Sequence, residues 1–85
     1  MSLVAMSTSP PLAPPKVFRR LIRSVTKQTF LQADGLWTGD MSLAQAFPDY
    51  SAAAAAKLRL KLDQVELYYS FGRGAESEFD FAINF

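Results

Sequence analysis

Eighty-five residues, 49% of them hydrophobic and carrying a formal net charge of +1, describe one small domain whose total charge argues for neither nucleic acid nor an anionic membrane. Cysteine and histidine are both absent, which excludes disulfides, thiolate or imidazole metal sites and the commonest general base. Such a chain buries only about 60% of its unfolded surface, so self-association is the expected supplement to its core.

Residues 1–15 read as a disordered, proline-rich leader, with 16–85 as a single domain. Met1 to Leu3 are compatible with a vector-derived start ahead of Met6. Pro11 to Lys16 match the PxxPxK spacing that some SH3 domains take, although a plain tail explains them as well. No secretory signal is recognisable and no apolar run is long enough to cross a bilayer, so the expectation is a cytoplasmic protein with no membrane partner.

Val17 to Val25 form the first predicted strand. Phe18, Arg20, Ile22 and Ser24 point one way, Arg19, Leu21 and Arg23 the other, and neither face is cleanly apolar. Thr26-Lys27-Gln28 turns the chain into Thr29–Gln32, and Ala33-Asp34-Gly35 turns it again before Leu36-Trp37-Thr38 briefly resumes the strand. Asp40 or Ser42 then caps a short helical turn with Leu43, Ala44 and Phe47 inward.

Asp49 to Leu62 carries the strongest helix chemistry in the chain. Its residues are good helix formers, Asp49 can cap the first turn, and Lys57, Arg59 and Lys61 suit the C-terminal end of the macrodipole. Helical spacing gathers Ser51, Ala54, Ala55, Leu58 and Leu62 on the face expected to meet a sheet, with Ala53, Ala56 and Leu60 as a second apolar flank. Val65 to Phe71 alternates as a strand with Val65, Leu67, Tyr69 and Phe71 on one side. After the Gly72-Arg73-Gly74 turn, Glu78 to Phe85 alternates again, with Phe79, Phe81, Ile83 and Phe85 expected inward; on that reading Phe81→Ala costs about 3–5 kcal/mol. The order β-β-α-β-β predicts a two-layer α+β domain, about four strands in two antiparallel hairpins with one main helix on one face. Strand order is not readable, and the connection through the helix could place the second pair parallel to the first.

The run Gly35-Leu36-Trp37-Thr38-Gly39-Asp40, followed by Ala44, Phe47 and an alanine-rich helix, resembles a class of small bacterial and phage proteins of uncharacterised function. They share a G-x-W-T-x-D pattern after a β-hairpin, and the resemblance covers roughly residues 18–71. It implies a ββαβ core and no agreed activity. On this reading Trp37, Ala44 and Phe47 seal the join of sheet and helix, while Thr38 or Asp40 caps the short turn; a binding role for Trp37 is the alternative.

Four cations in the first third, Arg19, Arg20, Arg23 and Lys27, are the sharpest functional lead. They could contact nucleic-acid phosphates with Phe18 or Phe30 as stacking surfaces, or Arg19 and Arg23 could pair with Glu66, Glu78 or Asp80 across neighbouring strands. The Gly72-Arg73-Gly74 turn is a candidate anion nest or a plain hairpin turn. Glu76, Glu78 and Asp80 read as a solvated or salt-bridged face rather than a metal cluster. No nucleophile has an evident base and no glycine loop has nucleotide-binding spacing, so neither a catalytic site nor a cofactor is expected. The expected function is a non-enzymatic module that forms a homodimer or binds another protein, with nucleic-acid binding as the alternative. The expected contact is the outer sheet face, the Leu60 flank or a strand edge such as Glu78–Phe85, which could pair with a copy of itself, with Leu60, Tyr68 and Trp37 as contact residues.

Overall fold

The computed structural model describes residues 18–72 and 75–85; the leader with its PxxPxK match, and Arg73 and Gly74 of the candidate nest, lie outside the described residues. Five strands make one antiparallel sheet: β1 (Arg19–Ser24), β2 (Phe30–Leu31), β3 (Trp37–Thr38), β4 (Val65–Ser70) and β5 (Phe81–Asn84), in the order β3-β2-β1-β4-β5. One helix, α1 (Tyr50–Arg59), packs on one face, so the domain is α+β as the sequence predicts. Two details differ. Trp37-Thr38 is a strand in its own right, making five, and β4 joins β1 antiparallel rather than parallel. Among the described residues no helix is long and apolar enough to cross a membrane.

The mixed face pattern of β1 follows from its central position. Leu21 and Ile22 are both fully buried, Ile22 against the α1 side and Leu21 against Phe30, Met41, Ala44 and Tyr68 on the other. Burial on both faces removes the polar-out signal that a half-exposed strand would show. The turn into β2 closes with Ser24 N–H donating to Thr29 O at 2.7 Å and places Gln28 at φ 59°, a bulge-type hairpin made without glycine.

A strap, residues 41–47, links the two faces. It begins as a 3-10 turn, Met41–Leu43, capped by Asp40, whose Oδ1 accepts from Ser42 N–H at 2.9 Å. Met41 and Ala44 pack on the Leu21 side, whereas Phe47 packs with Ile22 and α1. Between them Gln45 N–H donates to Leu31 O and Phe47 N–H to Arg20 O, so the strap occupies the length of the β1 edge that short β2 leaves open. Of the residues expected inward, Ala44 therefore lies on the face away from the helix, Leu43 is exposed, and Trp37 stays 39% exposed on the edge strand instead of sealing the helix join.

α1 starts where predicted, with Asp49 Oδ1 accepting from Ala52 N–H at 2.8 Å. Its buried face is Ala53 and Ala56, not the Ala54–Leu58 face, and Leu58 is 78% exposed. Those alanines bring the backbone close to Ile22 and Leu67, which are buried in the same cluster. The helix ends in a Schellman arrangement: Leu62 N–H donates to Lys57 O, Lys61 N–H to Leu58 O, and Lys61 takes φ 54°. Leu62 folds back into the core, which holds this geometry without a glycine.

β5 corrects a further expectation. Phe81 and Ile83 share the helix face with their β4 neighbours Tyr69 and Leu67, as the alternation predicts, but Phe81 is 49% exposed and Ile83 is exposed too. The physical reason is reach: ten helical residues span only about 15 Å, and α1 lies over the Phe85 end, where Lys57 Nζ donates to Phe85 O at 2.6 Å and the Tyr50 and Phe85 ring centroids are 5.8 Å apart.

A left-handed residue with a side chain stores about 1 kcal/mol relative to glycine. Lys61→Gly is therefore expected to raise stability by about 1 kcal/mol in urea unfolding. No gain would mean that the Lys61 side chain makes a compensating contact.

Candidate functional site

The four cations singled out in the sequence do not converge on one open surface. Arg19 reaches the second face and donates to Met41 O at 2.8 Å and to Ala44 O, gripping the start of the strap. Arg20 reaches the helix face, where its Nη1 donates to Phe47 O at 3.1 Å. Arg23 stands opposite Glu66 in the β1–β4 register; its Nε donates to the Glu66 carboxylate at 2.6 Å, and its guanidinium lies 4.4 Å above the Tyr68 ring. This is the cross-strand pairing that the sequence offered as the alternative to phosphate contacts. Lys27 stands exposed in the hairpin turn.

The second face is closed where the sequence suggested an open one. Tyr68 is only 5% exposed, so it does not lie on an accessible contact face. Asp80 explains much of this closure: its carboxylate accepts from Tyr68 O–H at 2.7 Å, from Phe71 N–H at 2.7 Å and from Ser77 N–H at 3.1 Å, pinning residues 75–80 over the sheet. Burial, and then the Asp80 carboxylate, push the Tyr68 phenol well above its ordinary range. Beside it runs an open groove of about 580 Å³, lined by Arg23, Phe30, Asp40 and Glu76 among others. The Asp40 carboxyl is held below its usual range by its hydrogen bonds with Ser42, as befits a cap and not a proton-transfer group. Among the described residues no three acidic groups gather to hold a metal ion.

An aromatic cluster occupies the end of the helix face that α1 leaves uncovered. Phe81 stacks on Tyr69 with ring centroids 4.7 Å apart and planes 12° from parallel. Phe18 lies 5.4 Å from both Tyr69 and Phe71, and Phe71 lies 6.0 Å from Phe81. The Arg20 guanidinium sits 5.1 Å from the Phe18 ring and 5.2 Å from the Tyr69 ring, so it is held by two ring faces as well as by the strap. Phe18 and Phe81 remain exposed. Alternation in β4 and β5 already places Tyr69, Phe71 and Phe81 on one side; what the sequence does not show is which end a short helix leaves bare. Of the expected contact residues, Trp37 and Leu60 are exposed elsewhere on the surface.

No family model, curated protein or solved structure matches this chain. The G-x-W-T-x-D run reads locally as structure: Gly35 turns the hairpin at φ 88°, Thr38 Oγ1 accepts from Asp40 N–H at 3.0 Å, and Asp40 caps the strap.

Because the folded chain keeps Tyr68 protonated, this residue contributes stability that is present below the ordinary tyrosine pKa of about 10 and is lost as pH rises towards its raised folded value. Wild-type unfolding free energy should therefore fall above about pH 10 by up to about 1.4 kcal/mol per pH unit. Tyr68→Phe should flatten that limb, and parallel alkaline limbs for the two proteins would contradict the assignment.

Proposed function

We propose that this chain is a small non-enzymatic association module, with the cytoplasm as its setting, that works by contacting protein, a copy of itself first, through the aromatic end of its sheet. One observation carries this reading: Phe81, 49% exposed, stacks into a continuous group of Phe18, Tyr69 and Phe71 beside the sheet edge. Contiguous exposed apolar surface of this kind marks contact sites, and aromatic residues with an ordered arginine are the types that dominate binding energy there. Arg20 is already immobilised by the strap and two rings, so it loses little freedom on contact.

Sedimentation velocity from micromolar to millimolar concentration tests this. The wild-type mass should rise with concentration and Phe81→Ser should remain monomeric, its fold being checked by circular dichroism. A wild type that stays monomeric throughout would remove the self-association reading.

The second reading, a nucleic-acid module, is favoured by Arg20 standing between the exposed Phe18 ring and the half-buried Tyr69 ring, a combination of arginine and aromatic faces also used by sheet-based single-strand binders. It has less support, because the Arg19, Arg20 and Arg23 guanidiniums are already engaged within the fold. Fluorescence anisotropy with single- and double-stranded oligonucleotides should show no salt-sensitive binding. Micromolar binding that collapses on adding salt would promote this reading over the first.

A further inference from the structure

The geometry points to the outer edge of β5 as the place where a second copy of this chain adds its own β5, antiparallel, with Ile83 opposite the partner's Ile83. This rests on the self-association reading and specifies its contact. The two sheet edges are unequal. β3 offers only Trp37 and Thr38 before Gly39-Asp40 ends it, a blunted edge. β5 offers Phe81-Ala82-Ile83-Asn84, with no charge, proline or glycine to discourage pairing, and among the described residues no strand lies beyond it.

The direction of the free main-chain groups follows from the ladder. Ser24 N–H donates to Thr29 O and Arg20 O accepts from Phe47 N–H, so these β1 residues turn their main chain towards the β2 side. Antiparallel alternation then turns Arg19, Leu21 and Arg23 towards β4, opposite Ser70, Tyr68 and Glu66. It next turns Leu67 and Tyr69 towards β5, opposite Ile83 and Phe81. What remains pointing outward on β5 is the N–H and C=O of Ala82 and of Asn84.

Those groups select one register. Centred on Ile83, a two-fold axis lets Ala82 exchange both bonds with the partner's Asn84, and Asn84 with the partner's Ala82, leaving no outward group of the strand unused. Centring on Ala82 instead would call on Asp80 N–H, which already donates to Ser77 O at 3.1 Å. The Ile83 register also sets Ile83 against its own copy in a non-hydrogen-bonded pair, where side chains approach most closely. Phe81 then faces the partner's Phe85 on the helix face. The strand is thus complementary to itself in donors, acceptors and apolar side chains, and no like charges oppose one another.

The absence of native cysteine makes the register directly testable. Ile83→Cys should oxidise rapidly with diamide to a covalent dimer. Ala82→Cys, whose thiol faces the partner's Asn84, should cross-link many-fold more slowly. In the unsubstituted protein, hydrogen exchange followed by NMR should slow with rising concentration at the Ala82 and Asn84 amides, while the Phe81 and Ile83 amides, already directed at β4, change little. A sedimenting dimer whose Ala82 and Asn84 exchange is independent of concentration, or in which Ala82→Cys cross-links faster, would overturn this pairing and leave self-association standing. A monomer at every concentration with neither cross-link would overturn both.

Discussion

Two adjacent arginines at one end of the central strand hold this domain together in a way that no apolar contact replaces. Arg19 and Arg20 point to opposite faces of β1, and each ends on carbonyls of the same strap: Met41 and Ala44 for Arg19, Phe47 for Arg20. Beyond its opening 3-10 turn, in which Met41 O also accepts from Ala44 N–H at 3.2 Å, the strap is irregular; the Ala44 and Phe47 carbonyls lie outside helix and sheet, and buried carbonyls left unpaired are costly. A guanidinium supplies several fixed donors at once, which suits this task better than a lysine would. With the strap in place, Met41 and Ala44 close the second face, and Phe47 delivers the chain to Asp49, where α1 begins.

The position of α1 decides what the protein shows to its surroundings. Because Ala53 and Ala56 are the buried residues, the helix lies close to the sheet but fills little volume, and its side chains reach Phe85 at one end of the last strand, leaving Phe81 at the other end exposed. Phe85 is covered and Phe81 is not. Phe18, Tyr69, Phe71 and Phe81 pack on one another in place of a helix, leaving an aromatic end beside an uncharged strand edge. A domain of this size has little core to spare, and covering such a surface with protein adds to its stability by mass action.

Features encoded by local chemistry were legible in the sequence. Asp49 and Asp40 cap their helices through contacts only two or three residues away, and the turns at 26–28 and 33–35 follow from residue type. The helix face was not legible, because Ala52 to Ala56 are identical and carry no phase, while Leu58 and Leu60 lie near or beyond the end of the helix. The last strand shows the same division. Alternation put Phe81, Ile83 and Phe85 on the right side, but coverage depends on where a ten-residue helix stops, which is a tertiary fact. The basic strand was the least legible of all. A row of arginines reads equally as phosphate contacts or internal clamps until the strap carbonyls and Glu66 are placed around it.

Equilibrium urea unfolding of Arg19→Met and Arg20→Met tests most directly whether these side chains are structural. Each variant keeps an unbranched apolar stem and loses the guanidinium. If the clamps hold the strap, each loses about 1.5–3 kcal/mol, the range for hydrogen bonds to a charged group. Changes within about 0.5 kcal/mol in both, the usual range for surface substitutions, would contradict the clamp account and return the basic strand to a role in contacting phosphate.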